Sequence, residues 1–169
     1  MSILECFGQD RAIVQLQRAL RTGRAPHGYI FHGPEGVGKE LLARQWAKLL
    51  LCEAPVEKGF DSEQIPRESP LRLATIQDCC DQCRNCRLLD AGNHPDFHLV
   101  HRGLAPYTKI RRTRKLIMLP IDVIREFLIE PAVTAPSCGR SRVFLIQEAE
   151  LLSREAQNSM LKILEEPPA

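Results

Sequence analysis

The stretch GPEGVGKELLA, Gly33 to Ala43, decides the fold. Its first seven residues fit G-x-x-x-x-G-K without slack, with glycines at 33, 36 and 38 and a lysine at 39. Such glycines let backbone N–H groups turn toward phosphate oxygens. The helix N-terminus that follows adds partial positive charge, and the lysine reaches the terminal phosphates. The flanks agree. GYIFHG (28–33) is a short apolar run closed by glycine and predicts a buried strand. ELLARQWAKLLLC (40–52) places Leu41, Leu42, Trp46, Leu49 and Leu50 on the apolar side of a helix. Strand, glycine-rich loop and helix together predict a phosphate loop in which Gly33, Gly36, Gly38 and Lys39 bind nucleotide.

The position after the lysine breaks the pattern. A serine or threonine there offers its hydroxyl to Mg²⁺; this chain has Glu40. Its carboxylate is longer and brings negative charge close to the phosphates. A second departure lies in RVFLIQEAE (142–150). The continuous apolar run predicts a central parallel strand. In P-loop ATPases such a strand ends in an aspartate for Mg²⁺, often followed by a glutamate that orients the attacking water. Here it ends in Gln147 and Glu148, and a neutral amide is a poor ligand for a hard cation. Both metal positions are altered in one chain, while Lys39 and Glu148 remain. Weak or no hydrolysis of Mg-ATP is expected; Glu148 is the catalytic candidate if the chain is an ATPase.

Seven cysteines include the tight series Cys80-Asp-Gln-Cys83-Arg-Asn-Cys86. Three thiolates at this spacing converge on one tetrahedral ion, and a structural zinc needs a fourth ligand. Cys52, Cys79, His94 and His98 are the candidates. Cys79 adjoins Cys80, which makes joint ligation awkward, whereas Cys52 would close a loop around 53–79. A site closed by four protein ligands serves folding rather than catalysis. Cys6 and Cys138 read as ordinary cysteines.

The whole 169-residue chain, 44% hydrophobic, is long enough for one domain with a core. No apolar run of about eighteen residues exists, and MSILECFGQDRA lacks the pattern of a secretory signal; the expected compartment is the cytoplasm. A net charge of +2 does not by itself indicate nucleic-acid binding. KIRRTRK (109–115) concentrates basic residues. It reads first as a solvated loop and second as a contact to DNA phosphates. Ile13, Leu16, Gln17 and Leu20 predict a helix stopped by Gly23. Residues 53–78 show no period and read as a surface insertion, CRLLDAG as a short helix ending at Gly92, and DFHLVH as a strand. Asp122 and Ser153 are the expected N-caps of two further helices. Trp46 and the histidines read as structural, and Lys162 as a surface lysine. Alternating strands and helices predict an α/β fold with a parallel sheet.

With these residues in view, the chain resembles bacterial replication clamp-loader subunits of the AAA+ ATPase group over nearly its whole length. FGQDRAIVQLQRAL, RAPHGYIFHGPEGVGKELLA, CDQCRNCRLLDAGNHPDFHLV, LPIDVIREF and NSMLKILEEPP occur in the family's order. The resemblance implies a P-loop AAA+-type parallel sheet flanked by helices, with an inserted zinc module whose ligands are Cys52, Cys80, Cys83 and Cys86. It divides the chain into a P-loop region (28–51), an insertion and zinc module (52–92) and a second metal-site strand (142–150) of one nucleotide-binding domain. The insertion between the first two ligands is longer than the family's.

The resemblance also implies a sensor strand between the P-loop strand and RVFLIQ, followed by lid and collar domains. Residues 1–169 are therefore expected to be a poorly stable portion of a longer protein. Glu40 and Gln147 fit the delta-prime branch, which assembles the loader without hydrolysing ATP. The implied partners are gamma/tau and delta subunits, the sliding clamp indirectly, and primed DNA, with zinc as cofactor and no membrane. An active gamma/tau-type motor, with Glu40 or Glu148 taking over the metal, is the alternative; a zinc-stabilised module outside replication is the remaining reading.

Overall fold

The computed structural model describes residues 2–58, 75–110, 117–138 and 141–167. The chain divides into two compact units, Met1–His94 and Pro95–Ala169.

In the first unit, α1 (Asp10–Arg21) and α2 (Lys39–Leu51) supply most of the core. Ile13 and Leu16 project from α1 and Leu42, Trp46 and Leu49 from α2, at the i, i+3, i+4, i+7 spacings that keep one helical face apolar. Gly23 ends α1 as expected: its N–H bonds the Leu20 carbonyl and the Arg24 N–H reaches back to Ala19. Trp46 is in the core, edge-on to Tyr29 at 5.6 Å between ring centres. Cys6 is also buried there, and burial pushes its thiol up to about 11, which leaves it an ordinary apolar filler.

Two expectations for this unit fail. Residues 28–32 form no strand; Ile30 is 96% exposed, while Tyr29 and Phe31 pack against the core. A strand needs a hydrogen-bonded neighbour, and among the described residues none flanks this run. Its apolar pattern reported burial of alternate side chains rather than membership of a sheet. Conversely, the insertion read as periodless contains a ladder. β1 (Val56–Lys58) pairs antiparallel with β2 (Ile76–Asp78). Ile76 enters the core, and the fully buried Asp78 carboxylate accepts from the Ile3 N–H at 3.3 Å, Lys58 Nζ at 3.0 Å and its neighbour Cys79 N–H at 2.8 Å. The Ser2 hydroxyl donates to it as well. These bonds fix the hairpin base to the N-terminal turn. Residues 59–74 lie outside the described residues. α3 (Arg84–Asp90) follows and closes at Gly92 as expected.

In the second unit β3 (Phe97–Val100) and β4 (Val143–Ile146) form a parallel pair, with Val100 opposite Ile146. The fold is thus mixed α/β with a small parallel sheet and helices. α4 (Ile121–Ile124) continues through a π-helical turn (Arg125–Ile129) into α5 (Glu130–Ala132). Asp122 is not the N-cap: Pro120, with φ −80°, holds that place, and Asp122 lies in the first turn, where a carboxylate favours the helix dipole. Val123, Ile124 and Leu128 pack with Val100, Leu119 and Met160. His98 stacks on Phe144 at 4.9 Å, in keeping with a structural histidine.

α6 (Arg154–Glu165) starts as expected at Ser153, whose hydroxyl accepts from the Ala156 N–H at 3.2 Å. Gln157, one position late for a capping box, donates instead to the Leu152 carbonyl. Lys162 is exposed on this helix. Ser153→Ala should cost about 1 kcal/mol, read as a lower midpoint in urea at unchanged slope. A midpoint equal to the parent's would show that the hydroxyl contributes nothing to stability.

Candidate functional site

The four cysteines come from three segments. Cys52 caps the C-terminus of α2, Cys80 follows β2, Cys83 is the N-cap of α3, and Cys86 lies in that helix's first turn. Their sulfurs all lie within 4.8 Å of one another, with Cys52 and Cys80 at 3.5 Å. A tetrahedron of Zn–S bonds places sulfurs about 3.8 Å apart, so the spacing fits one such ion.

Backbone N–H groups turn onto the sulfurs: Cys80 N–H on Cys52 at 3.4 Å, Cys83 N–H on Cys80 at 3.3 Å, and Cys86 N–H on Cys83 at 3.4 Å. Such donors favour thiolate over thiol. Those from Gln82 and Cys83 bring the Cys80 thiol down to about 6. Burial moves Cys52 and Cys86 upward, and a bound cation would overcome that by deprotonating a coordinating thiol.

The other candidate ligands fall elsewhere. Cys79 is buried with its sulfur 3.3 Å from an Asp81 oxygen, and burial, then the Asp78 charge, pushes it up to about 12. His94 and His98 are not in the cluster either. Of the alternatives left open by spacing, the geometry gathers the set that includes Cys52.

At the glycine-rich loop of residues 33–39, α2 begins at Lys39 with Gly38 as N-cap. Gly36 and Gly38 have φ of +80° and +85°, the left-handed region that lets the turn close against the helix start. Lys39 Nζ donates to the carbonyls of Gly33 at 2.9 Å and Pro34 at 2.7 Å, and Gln9 Nε2 donates to the Val37 carbonyl at 2.7 Å. The Glu40 carboxylate bonds Arg44 Nε at 2.9 Å, one turn along α2. The residue in the Mg²⁺-ligand position is thus held by its own helix.

In the second unit Gln147 extends the β3–β4 ladder, its N–H bonding the Val100 carbonyl at 2.9 Å. Glu148 follows with φ +54°. Both its oxygens accept from Arg102, Oε2 from Nε at 2.7 Å and Oε1 from Nη2 at 2.6 Å. A carboxylate engaged by this fork has both oxygens committed to the guanidinium. Arg102 escaped the sequence reading. Its signal is positional: two residues beyond Val100, it lies opposite Glu148, two beyond Ile146.

Of the basic run, Lys109 bonds Glu126 through its N–H and Glu130 through Nζ. This is the behaviour of a paired surface lysine; residues 111–115 lie outside the described residues.

Comparison with known proteins agrees with the motifs. The chain is 35% identical to the DNA polymerase III subunit tau of Salmonella typhimurium over 98% of its own length and 21% of that protein's. It is 33% identical to the DNA polymerase III subunit delta' of Pseudomonas aeruginosa over 86% of itself and 36% of the relative. A DNA polymerase III subunit gamma of Buchnera aphidicola matches at 30% over 97% of the chain and 35% of the relative. The chain thus spans between about a fifth and about a third of these relatives. A family described as "DNA polymerase III, delta subunit" matches residues 8–169. The chain therefore belongs to that family, the DNA polymerase III clamp-loader group that its loop and cysteine motifs resemble.

Proposed function

We propose that this chain is a non-hydrolysing, delta-prime-like clamp-loader component, which helps assemble the complex that loads the sliding clamp for DNA polymerase III. Its partners are the gamma/tau and delta subunits, with primed DNA met through the assembled loader. The observation that carries the reading is that one sequence has changed both residue types that hold Mg²⁺ in P-loop ATPases. Glu40 follows the loop lysine and is turned onto Arg44, and Gln147, not a carboxylate, follows β4. The Arg102 fork on Glu148 supports it, because a water-orienting glutamate needs a free oxygen.

In this reading residues 28–51, 52–92 and 142–150 are parts of one AAA+-type nucleotide-binding domain. The four-cysteine cluster holds a structural zinc that contributes to folding, and the protein works in the cytoplasm. No helix of the described residues is long and apolar enough to cross a membrane.

The gamma/tau motor reading is favoured by a different observation: tau and gamma relatives align over nearly the whole chain, and Lys39 and Glu148 are both present. Titration calorimetry of ATP and ADP, with and without Mg²⁺, together with phosphate-release assays, separates the two. The expected result is no strengthening of binding by Mg²⁺, no turnover above background, and unchanged assembly with partner subunits in Lys39→Ala. Micromolar binding strengthened by Mg²⁺, with phosphate release abolished by Lys39→Ala, would establish the motor reading instead.

A further inference from the structure

Lys48 is a charged residue in an unusual place. It lies on α2, one turn before Cys52, with its side chain only 1% exposed. Its ammonium donates to Asp81 Oδ1 at 2.5 Å and to both oxygens of Asp90 at 2.7 Å. Lys, Arg, Asp and Glu are rarely buried unless paired, and here the partners are not scattered. Asp81 sits inside the Cys80–Cys83 turn, between two of the four clustered sulfurs. Asp90 is the last residue of α3, whose first turn carries Cys86 and whose N-cap is Cys83. The helix that ends in Cys52 therefore grips, through one ammonium, both segments that carry the other three cysteines.

Asp81 is also one of only two non-glycine residues with positive φ among the described residues, at +58°. Aspartate tolerates the left-handed region better than most residues, but still at a cost. That conformation is what turns the Cys80–Cys83 segment so that successive N–H groups face sulfur. Asp81 is tied down on one side by Lys48, and its other oxygen lies 4.0 Å from Lys58 Nζ.

Charge points the same way. Four thiolates around a divalent ion leave a net negative centre, and the Lys48 ammonium offsets the further negative charge that Asp81 and Asp90 bring to its surroundings.

We infer that Lys48 is a positioning residue of the four-cysteine metal centre, acting through Asp81 to hold the Cys80–Cys83 turn in its ligating shape. The inference rests on the zinc reading of the cluster. Residues one shell out from a metal typically change its affinity by about 10–100-fold when removed, and a change of that size is expected for Lys48→Met. The zinc dissociation constant is read by competition with a chromophoric chelator, on protein shown to be folded by circular dichroism.

The route is tested by repeating Lys48→Met on an Asp81→Gly background. Glycine adopts positive φ freely and has no carboxylate to hold, so there the loss should shrink to about threefold or less. Cobalt substitution adds a readout that general destabilisation does not move: the ligand-field bands report the geometry of the four sulfurs, and they should shift in Lys48→Met but not when Asp81 is already glycine.

A zinc constant for Lys48→Met within twofold of the parent overturns the inference, as does the same loss in both backgrounds. A parent chain that takes up no zinc overturns it together with the zinc reading, whereas equal binding by parent and variant removes only the role of Lys48. Should Lys48→Met fail to fold, Asp81→Asn decides: it keeps the shape and the left-handed preference but weakens the grip. Weaker zinc binding in that variant upholds the inference, and unchanged binding ends it.

Discussion

Cys83→Ser is expected to release zinc and to unfold the segment from Cys52 to Gly92. Cys83 has three roles: its sulfur is one of the four, it accepts the Cys86 N–H as N-cap of α3, and its own N–H points at the Cys80 sulfur. Serine keeps the second and third of these, since its hydroxyl is a favoured N-cap and the backbone is unchanged. It removes only the soft ligand, so the substitution isolates metal binding from capping.

Apparent zinc affinities in small structural sites amount to about 10–16 kcal/mol near neutral pH and act as folding free energy. The effect should therefore be large. Elemental analysis should find about one zinc per parent chain and little in the variant, and hydrogen exchange should show protection lost over 52–58 and 75–92. Unchanged zinc in Cys83→Ser would remove this residue from the ligand set.

The other large effect expected is on stability, at Asp96. This side chain is fully buried, and its two oxygens accept the N–H groups of Ser137 and Cys138, each at 2.7 Å, and approach Arg142 Nη2 at 3.5 Å. Arg142, with its side chain 11% exposed, donates through Nη1 to the carbonyls of Pro131 and Thr134 and through Nη2 to that of Ala135. One carboxylate and one guanidinium thus fasten the segment between α5 and β4 to the start of β3. Asp96→Ala leaves a buried cation without its counter-charge and two N–H groups without acceptors. Breaking a buried pair by removing one partner costs about 3–5 kcal/mol. Chemical denaturation should show that loss, with Asp96→Asn recovering part of it because an amide oxygen still accepts. A loss below about 1 kcal/mol for Asp96→Ala would mean that the Arg142 bonds to backbone carbonyls hold the segment unaided.

What could be read from the sequence depended on whether the signal was local. The glycine turn at 36–38 and the start of α2 were legible because glycine conformation and helix capping are decided within a few residues. The cysteine set was nearly so, since the spacing of Cys80, Cys83 and Cys86 is itself ligand geometry, whereas Cys52 needed either the resemblance or the fold. The strand expected over 28–32 failed because an apolar run reports burial and carries no information about a neighbour to pair with. The β1–β2 ladder was missed because Val56–Lys58 and Ile76–Asp78 are too short to show a period. Lys48, buried on α2 together with Gln45, reads from sequence as an exposed charge on a helix. Arg102 became visible only with the parallel register of β3 and β4.

The antiparallel base of the insertion has a consequence for how this family can vary. Val56–Lys58 and Ile76–Asp78 bring the chain back to where it left the core, a few residues after Cys52 and just before Cys80. The ladder works as a clasp, and the length of chain it encloses is uncoupled from the positions of Cys52 and Cys80. In general the cost of closing a loop rises by only about 0.6 kcal/mol for each doubling of its length. The ladder is thus a port at which sequence can be gained or lost, or a reporter peptide grafted, without disturbing the four-cysteine cluster.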